Sequence, residues 1–158
     1  MKKSIVTYFS ASGHTAKVAK RLIQALKADD FEIKPQKPYT REDLNWTDKE
    51  SRSSVEMRDR TCRPPMASPV PDITKYQVVF IGFPIWWYRE PSIIDTFIEA
   101  CHFDGQVVVP FATSGGSELG ETCHNLQALA PKAVVQKGKR FETNVSSTEI
   151  AAWAQSFL

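Results

Sequence analysis

The sequence predicts an α/β fold: a three-layer sandwich with a doubly wound parallel sheet. Two observations carry this. Short, near-continuously apolar runs rich in Val, Ile and Phe recur along the chain, as strands buried on both faces do. Segments with helical apolar periodicity separate the later runs, so that strand and helix alternate. Right-handed crossovers then wind the sheet both ways. At 158 residues the chain is expected to form a single domain, 1–158.

The elements follow in order. Residues 4–10, SIVTYFS, read as a buried strand. Residues 14–28 read as a helix with Val18, Leu22, Ala25 and Leu26 on one face. Residues 31–35, FEIKP, form a second strand that Pro35 ends. Strands three to five are expected at 77–83, 106–113 and 133–141. A helix over 92–102 lines up Ile94, Phe97, Ile98 and Cys101. Another over 117–130 lines up Leu119, Cys123, Leu126 and Ala130. The last, 148–157, opens on the capping box Ser146-x-x-Glu149.

Residues 36–75 break the alternation. They are polar, proline-rich and lack a strand pattern. Thr47-x-x-Glu50 reads as a capping box, which predicts a short helix over 48–59. Two roles stay open, a surface connection or a lid over the site.

Composition excludes several classes. The net charge of +2 is spread along the chain, which argues against nucleic acid. No window approaches the roughly 18 apolar residues of a membrane helix, and no signal peptide is recognisable. Cys62, Cys101 and Cys123, three cysteines without C-x-x-C, suit a reducing compartment, so a cytoplasmic protein is expected. No P-loop, G-x-G-x-x-G or G-x-S-x-G motif occurs. No cysteine has an arginine six positions on, as a cysteine phosphatase loop needs. Cys101-His102 and Cys123-His124 are adjacent pairs that diverge on a helix, and no metal site is expected.

In such a fold ligands sit at the carboxyl ends of the strands, near the switch in strand order. Three loops meet there. SASGHTA, 10–16, combines hydroxyls, a glycine and a helix start, which suits a phosphate cradle or an ordinary capped turn. PIWWY, 84–88, places three consecutive aromatics between Pro84 and Pro91, a stiff aromatic wall. TSGGS, 113–117, lets backbone approach a ligand closely. A molecule with a phosphate at one end and a flat ring at the other satisfies all three.

These loops resemble those of the flavodoxins: Ser10-x-Ser12-Gly13-x-Thr15 the phosphate loop, Gly82-Phe-Pro84-Ile-Trp86-Trp87 the first ring loop, Thr113-Ser-Gly-Gly-Ser117 the second. The resemblance implies a five-stranded parallel sheet in the order 2-1-3-4-5 and one non-covalent FMN. It implies that Ser10, Ser12, Gly13, His14, Thr15 and Ala16 hold the phosphate. Pro84, Ile85, Trp86, Trp87 and Tyr88 would flank the isoalloxazine ring, with Trp86 or Trp87 stacked on it and one of the two packed on the sheet. Thr113, Ser114, Gly115, Gly116 and Ser117 would face the pyrimidine edge. The implied function is electron transfer to a redox partner protein. The alternative is an FMN-dependent NAD(P)H:quinone or small-acceptor oxidoreductase.

Two departures from the family pattern bear on the choice. No glycine follows the ring aromatics; Tyr88-Arg89 stands there, which puts one-electron behaviour in question. The charge is mildly positive where flavodoxin carriers are strongly acidic, and Arg89 is expected beside the ring, raising the flavin potential. Arg52, Arg58, Arg60 and Arg63 are either a solvated face or part of an acceptor site. A non-flavin phosphate-metabolite binder, with His14 as candidate base, and a scaffold that has lost its ligand are the remaining classes.

Overall fold

The computed structural model describes residues 2–158. Its elements are β1 (Ser4–Tyr8), α1 (His14–Leu26), β2 (Asp29–Glu32), α2 (Arg52–Arg58), β3 (Val78–Pro84), α3 (Ser92–Ala100), β4 (Val107–Thr113), α4 (Thr122–Leu129), β5 (Val134–Val135), β6 (Lys139–Phe141) and α5 (Ser147–Gln155). All pairings are parallel, in the order β2-β1-β3-β4-β5. β6 pairs β4 beyond β5. The predicted fold class and strand order are those observed.

Period-two alternation divides the core into two layers. Ile5, Val79, Ile81, Phe83 and Val108 pack with Ile94, Phe97 and Leu126. Val6, Val78, Phe80, Val109 and Phe111 pack with Val18, Leu22 and Ile150. Gly82 falls on the second face, and the Phe111 ring occupies its side-chain space: a Cβ there would lie 2.3 Å from the ring. Trp153 then packs edge-on against Phe111 and Phe141 and tilted against Phe80.

The expected fifth strand, 133–141, is two short strands. Val134 and Val135 pair with Val107 and Val108. Lys139 to Phe141 pair with Phe111 to Thr113. The break faces Pro110. The Val107 N–H donates to Gln77 on the β3 side, and the Val108 carbonyl accepts from Gln136 on the other. Alternation turns Pro110 to the β5–β6 side, where it has no N–H to offer. Three residues, 136–138, bulge past it.

Residues 36–75 hold one short α-helix, which starts later than expected, and a single 3-10 turn at Ile73–Lys75. The Ser51 hydroxyl accepts from the Ser54 N–H and caps α2, while the Thr47 hydroxyl donates to Asn45. The capping box at Ser146 forms as read: its hydroxyl accepts from the Glu149 N–H. The segment is strapped down by side chains. The Arg52 guanidinium lies 3.8 Å above the Tyr39 ring and pairs with Glu56 at 3.1 Å and Asp43 at 3.6 Å. Arg58 donates to the Lys49 carbonyl at 2.7 Å. Arg63 pairs with Glu99 on α3. Arg52 and Arg63 are therefore staples, whereas Arg58 and Arg60 are exposed as a solvated face requires, and none of the four lines the cavities at the strand ends.

Candidate functional site

The carboxyl ends of β1, β3 and β4 meet at one edge and enclose two adjoining cavities. The smaller, about 340 Å³, is lined by Ser12, His14, Pro84, Ile85, Thr113, Ser114, Gly115 and Thr143. The larger, about 840 Å³, is lined by Ala11, Ser12, Leu44, Trp46, Ser53, Pro84, Ile85, Trp86, Trp87, Tyr88, Gly115, Gly116 and Ser117. Ser12, Pro84, Ile85 and Gly115 belong to both, so the two form one elongated groove.

The small end sits at the start of α1. Gly13 caps this helix with φ 95°, and the first turn carries no acidic side chain. The Ser10 hydroxyl accepts from the Gly13 N–H at 3.2 Å and the Ala16 N–H at 3.1 Å. The Thr15 and Thr113 hydroxyls bond each other at 2.7 Å, tying the first loop to β4. Ser10, Gly13, Ala16 and the Thr15 side chain thus build the loop and do not line the groove. The amides of His14 and Thr15 lie in the first helical turn, where no intrahelical acceptor exists. With the Ser12 hydroxyl and the positive helix end, they suit an anion. His14 faces Thr143, Nδ1 to Oγ1 3.2 Å.

The large end is aromatic. Trp86 and Arg89 exchange backbone hydrogen bonds of 3.0 and 3.2 Å across a two-residue turn. Trp87 and Tyr88 fill that turn with φ 48° and 64°. Both positive values match a type I′ turn, which normally recruits Asn or Gly. The backbone thus takes left-handed angles without the glycine whose absence stood out in the sequence. Two contacts hold this strained arrangement. The Tyr88 carbonyl accepts from the Glu121 N–H at 3.2 Å, and Gly120 presses on it so closely that a Cβ there would lie 2.1 Å away. Trp86 is the packed tryptophan, edge-on to Phe9 at 5.7 Å and Tyr39 at 5.3 Å. Trp87 and Tyr88 expose 43% and 72% of their surface at the groove mouth.

The wall opposite is Gly115 and Gly116. Neither has a positive φ, and a Cβ at either meets no atom within 4 Å. Nothing within the protein calls for glycine here; both residues are exposed and border the cavity. Ser114 donates to the Ser117 carbonyl, and Arg140 fixes the Ser114 carbonyl at 3.2 Å.

Arg89 does not lie in the groove. It is 6% exposed and runs beneath the ring loop, with its guanidinium 3.5 Å from Asp95 and 3.6 Å from Glu90. It also donates to the Met57 carbonyl at 3.2 Å, joining α2 to the loop. The expectation of a positive charge beside the ring is therefore overturned: two carboxyl groups compete for this cation away from the cavity.

Glu90 and Asp95 are both buried beside the Arg89 guanidinium, so their charges add on one cation. Burial, then the charge of Asp95, pushes Glu90 up to about 8 from 4.5. The folded state keeps a proton that the unfolded chain releases near pH 4.5. The stability from this group is complete below pH 4.5 and is lost as pH rises towards 8. Glutamine at this position stays neutral and can still accept from Asn125. Glu90→Gln is expected to match the native protein at pH 5 and to exceed it by about 1–3 kcal/mol at pH 8.5. Urea unfolding across that range reads the difference; parallel curves at both pH values would refute it.

Of the sixteen residues read from the sequence, twelve line the groove: Ser12, His14, Pro84, Ile85, Trp86, Trp87, Tyr88, Thr113, Ser114, Gly115, Gly116 and Ser117. The sequence reading missed Leu44, Trp46 and Ser53, which bring the 36–75 segment into the wall, and Ala11 and Thr143. Of the two roles considered for that segment, the structure has it bordering the site. The one available signal was Trp46 itself, a large aromatic within a polar stretch, 74% exposed.

The groove's chemistry fits FMN: an anion end at a helix start, flat apolar walls and a glycine loop with open space. Ser12 with the His14 and Thr15 amides would hold the phosphate. Residues 84–88 and 115–117 would hold the ring.

Comparison with known proteins agrees. The family model described as Flavodoxin matches residues 3–157. A candidate flavoprotein from Bacteroides eggerthii is 44% identical with a TM-score of 0.92, covering 99% of this chain and 98% of that one. One from Bacteroides uniformis is 43% identical with a TM-score of 0.91, covering 98% of each. A Lactobacillus acidophilus flavoprotein crystallised with FMN shares the fold at 21% identity and a TM-score of 0.68, covering 98% of this chain and 99% of that one. No curated protein matches the chain. By its sequence over nearly its whole length, and by the sheet and loops that sequence builds, the chain belongs to the flavodoxin family.

Proposed function

We propose that the chain is a single-domain FMN-binding protein that transfers electrons in a reducing, cytoplasmic setting. One observation carries this reading: an uncharged aromatic groove runs directly into an anion site at a helix start, at the strand ends. When bound, the flavin supplies one- and two-electron redox chemistry. The protein's part is to bind, orient and shield. Ser12 and the first turn of α1 anchor the phosphate. Trp86, braced by Phe9 and Tyr39, stiffens one wall. The paired Arg89 leaves that wall electrically neutral. Among the described residues no helix is long and apolar enough to cross a membrane.

The electrons go to a redox partner protein or to a small acceptor. The second route, a reductase of quinone-like compounds, is favoured by the extra wall of Leu44, Trp46 and Ser53. The FMN-loaded protein mixed with NADPH or NADH and a quinone separates the two. Turnover without added reductase identifies an oxidoreductase. Electron uptake only through a reductase protein identifies a carrier. Failure of the loaded protein to accept electrons from any reductant would refute both.

A further inference from the structure

Ser53 is 2% exposed, its hydroxyl oxygen has no hydrogen-bond partner, and the residue lines the large cavity. A buried hydroxyl without a partner is costly. Its neighbours Ser51 and Ser54 satisfy theirs within the same turn. Ser53 comes from α2, which lies outside the phosphate loop and the two ring loops. Trp46, also from the 36–75 segment, presents a flat and mostly exposed indole to the same space.

The cavity's lining contains no charged side chain. A charged group bound there would lose its water without compensation. Its volume of about 840 Å³ is near the top of the range of about 300–1,000 Å³ for small-molecule sites. The phosphate has its own cavity beside it, so only the flat part of the cofactor need enter this one.

We propose that Ser53, Trp46 and Leu44 form a subsite for the electron acceptor, and that this acceptor is an uncharged planar aromatic carbonyl compound. The inference rests on the flavin reading. Trp46 covers one face of the acceptor, and the Ser53 hydroxyl, now sealed, turns about its Cα–Cβ bond into the cavity and donates to the carbonyl oxygen. Charged acceptors and dinucleotides are disfavoured because no cation lines the subsite to pair with them.

The test uses the FMN-loaded protein without reductant, so that nothing turns over. Binding of 1,4-naphthoquinone, and of naphthalene, which lacks the carbonyls, is followed by calorimetry. Ser53→Ala removes an unbonded hydroxyl and Trp46→Ala an exposed ring, so both variants are expected to fold. Ser53→Ala is expected to weaken naphthoquinone binding about five- to tenfold, leaving naphthalene unaffected. Trp46→Ala is expected to weaken both ligands. Affinity for FMN should change less than about twofold in either variant. Unchanged naphthoquinone binding in Ser53→Ala overturns the subsite. So does a parallel loss of FMN affinity, which would assign the hydroxyl to the cofactor. If the native protein takes up no FMN, the flavin reading fails first, and this inference falls with it.

Discussion

Arg89→Met is expected to destabilise the protein by about 3–5 kcal/mol, the usual effect of removing one partner from a buried ion pair. Arg89 is the cation closest to Asp95, which is 1% exposed; Arg63 stands farther off at 4.0 Å and is itself engaged by Glu99. Methionine fills the volume but leaves the carboxylate without its main counter-charge. It also removes the donor to the Met57 carbonyl that ties α2 beneath the ring loop. The melting temperature should fall by roughly 6–20 °C for a chain of this size. Because the defect is an uncompensated negative charge, the loss should be smaller at pH 5 than at pH 8. Adding Asp95→Asn should recover part of it. A native-like melting temperature for Arg89→Met at pH 8 would mean that the cluster does not hold the loop.

Gly115→Val is expected to weaken FMN binding about ten- to a hundredfold, the effect of forcing a branched side chain into occupied space. The fold should be unchanged. Gly115 sits where the two cavities join, has no positive φ and faces open space, so the protein itself tolerates a larger side chain there. Gly120 gives the contrasting case. Its φ is 55°, and a Cβ would strike the Tyr88 carbonyl, so alanine at 120 should perturb the structure before it affects binding. Fluorescence titration with FMN, beside thermal melts of both variants, checks the pair. A Gly115→Val protein that binds FMN as the native chain does would refute the proposed seat of the cofactor.

How much of this could be read from the sequence follows the range of the interactions. The strands and the three loop positions were legible because apolar runs and helix starts are local signals. The Ser146 cap was legible for the same reason. The sheet order came only from the resemblance that those loops carry. The Thr47 pattern misled: Ser51 offered a better cap four residues later, already within the turn that Ser54 closes. The split of the last strand was hidden because its cause, Pro110, lies on another strand. Arg89 looked like a site residue by position. Only the fold brings Asp95 and Glu90 to within 3.6 Å of it. Ser10 and Thr15 matched the phosphate motif, yet their hydroxyls are used within the protein, on two amides and on Thr113. Trp46 and Ser53 were missed because a long polar segment carries no periodicity to say which face docks.

The central claim is that the elongated groove seats FMN. Titration of the flavin-free protein with FMN, followed by flavin and tryptophan fluorescence, tests it most directly. The account predicts saturation at one FMN per chain, with both emissions quenched as the ring meets Trp86 and Trp87 and with shifted flavin absorption bands. Flavin fluorescence that stays undiminished by excess protein, with tryptophan emission unchanged, would contradict it.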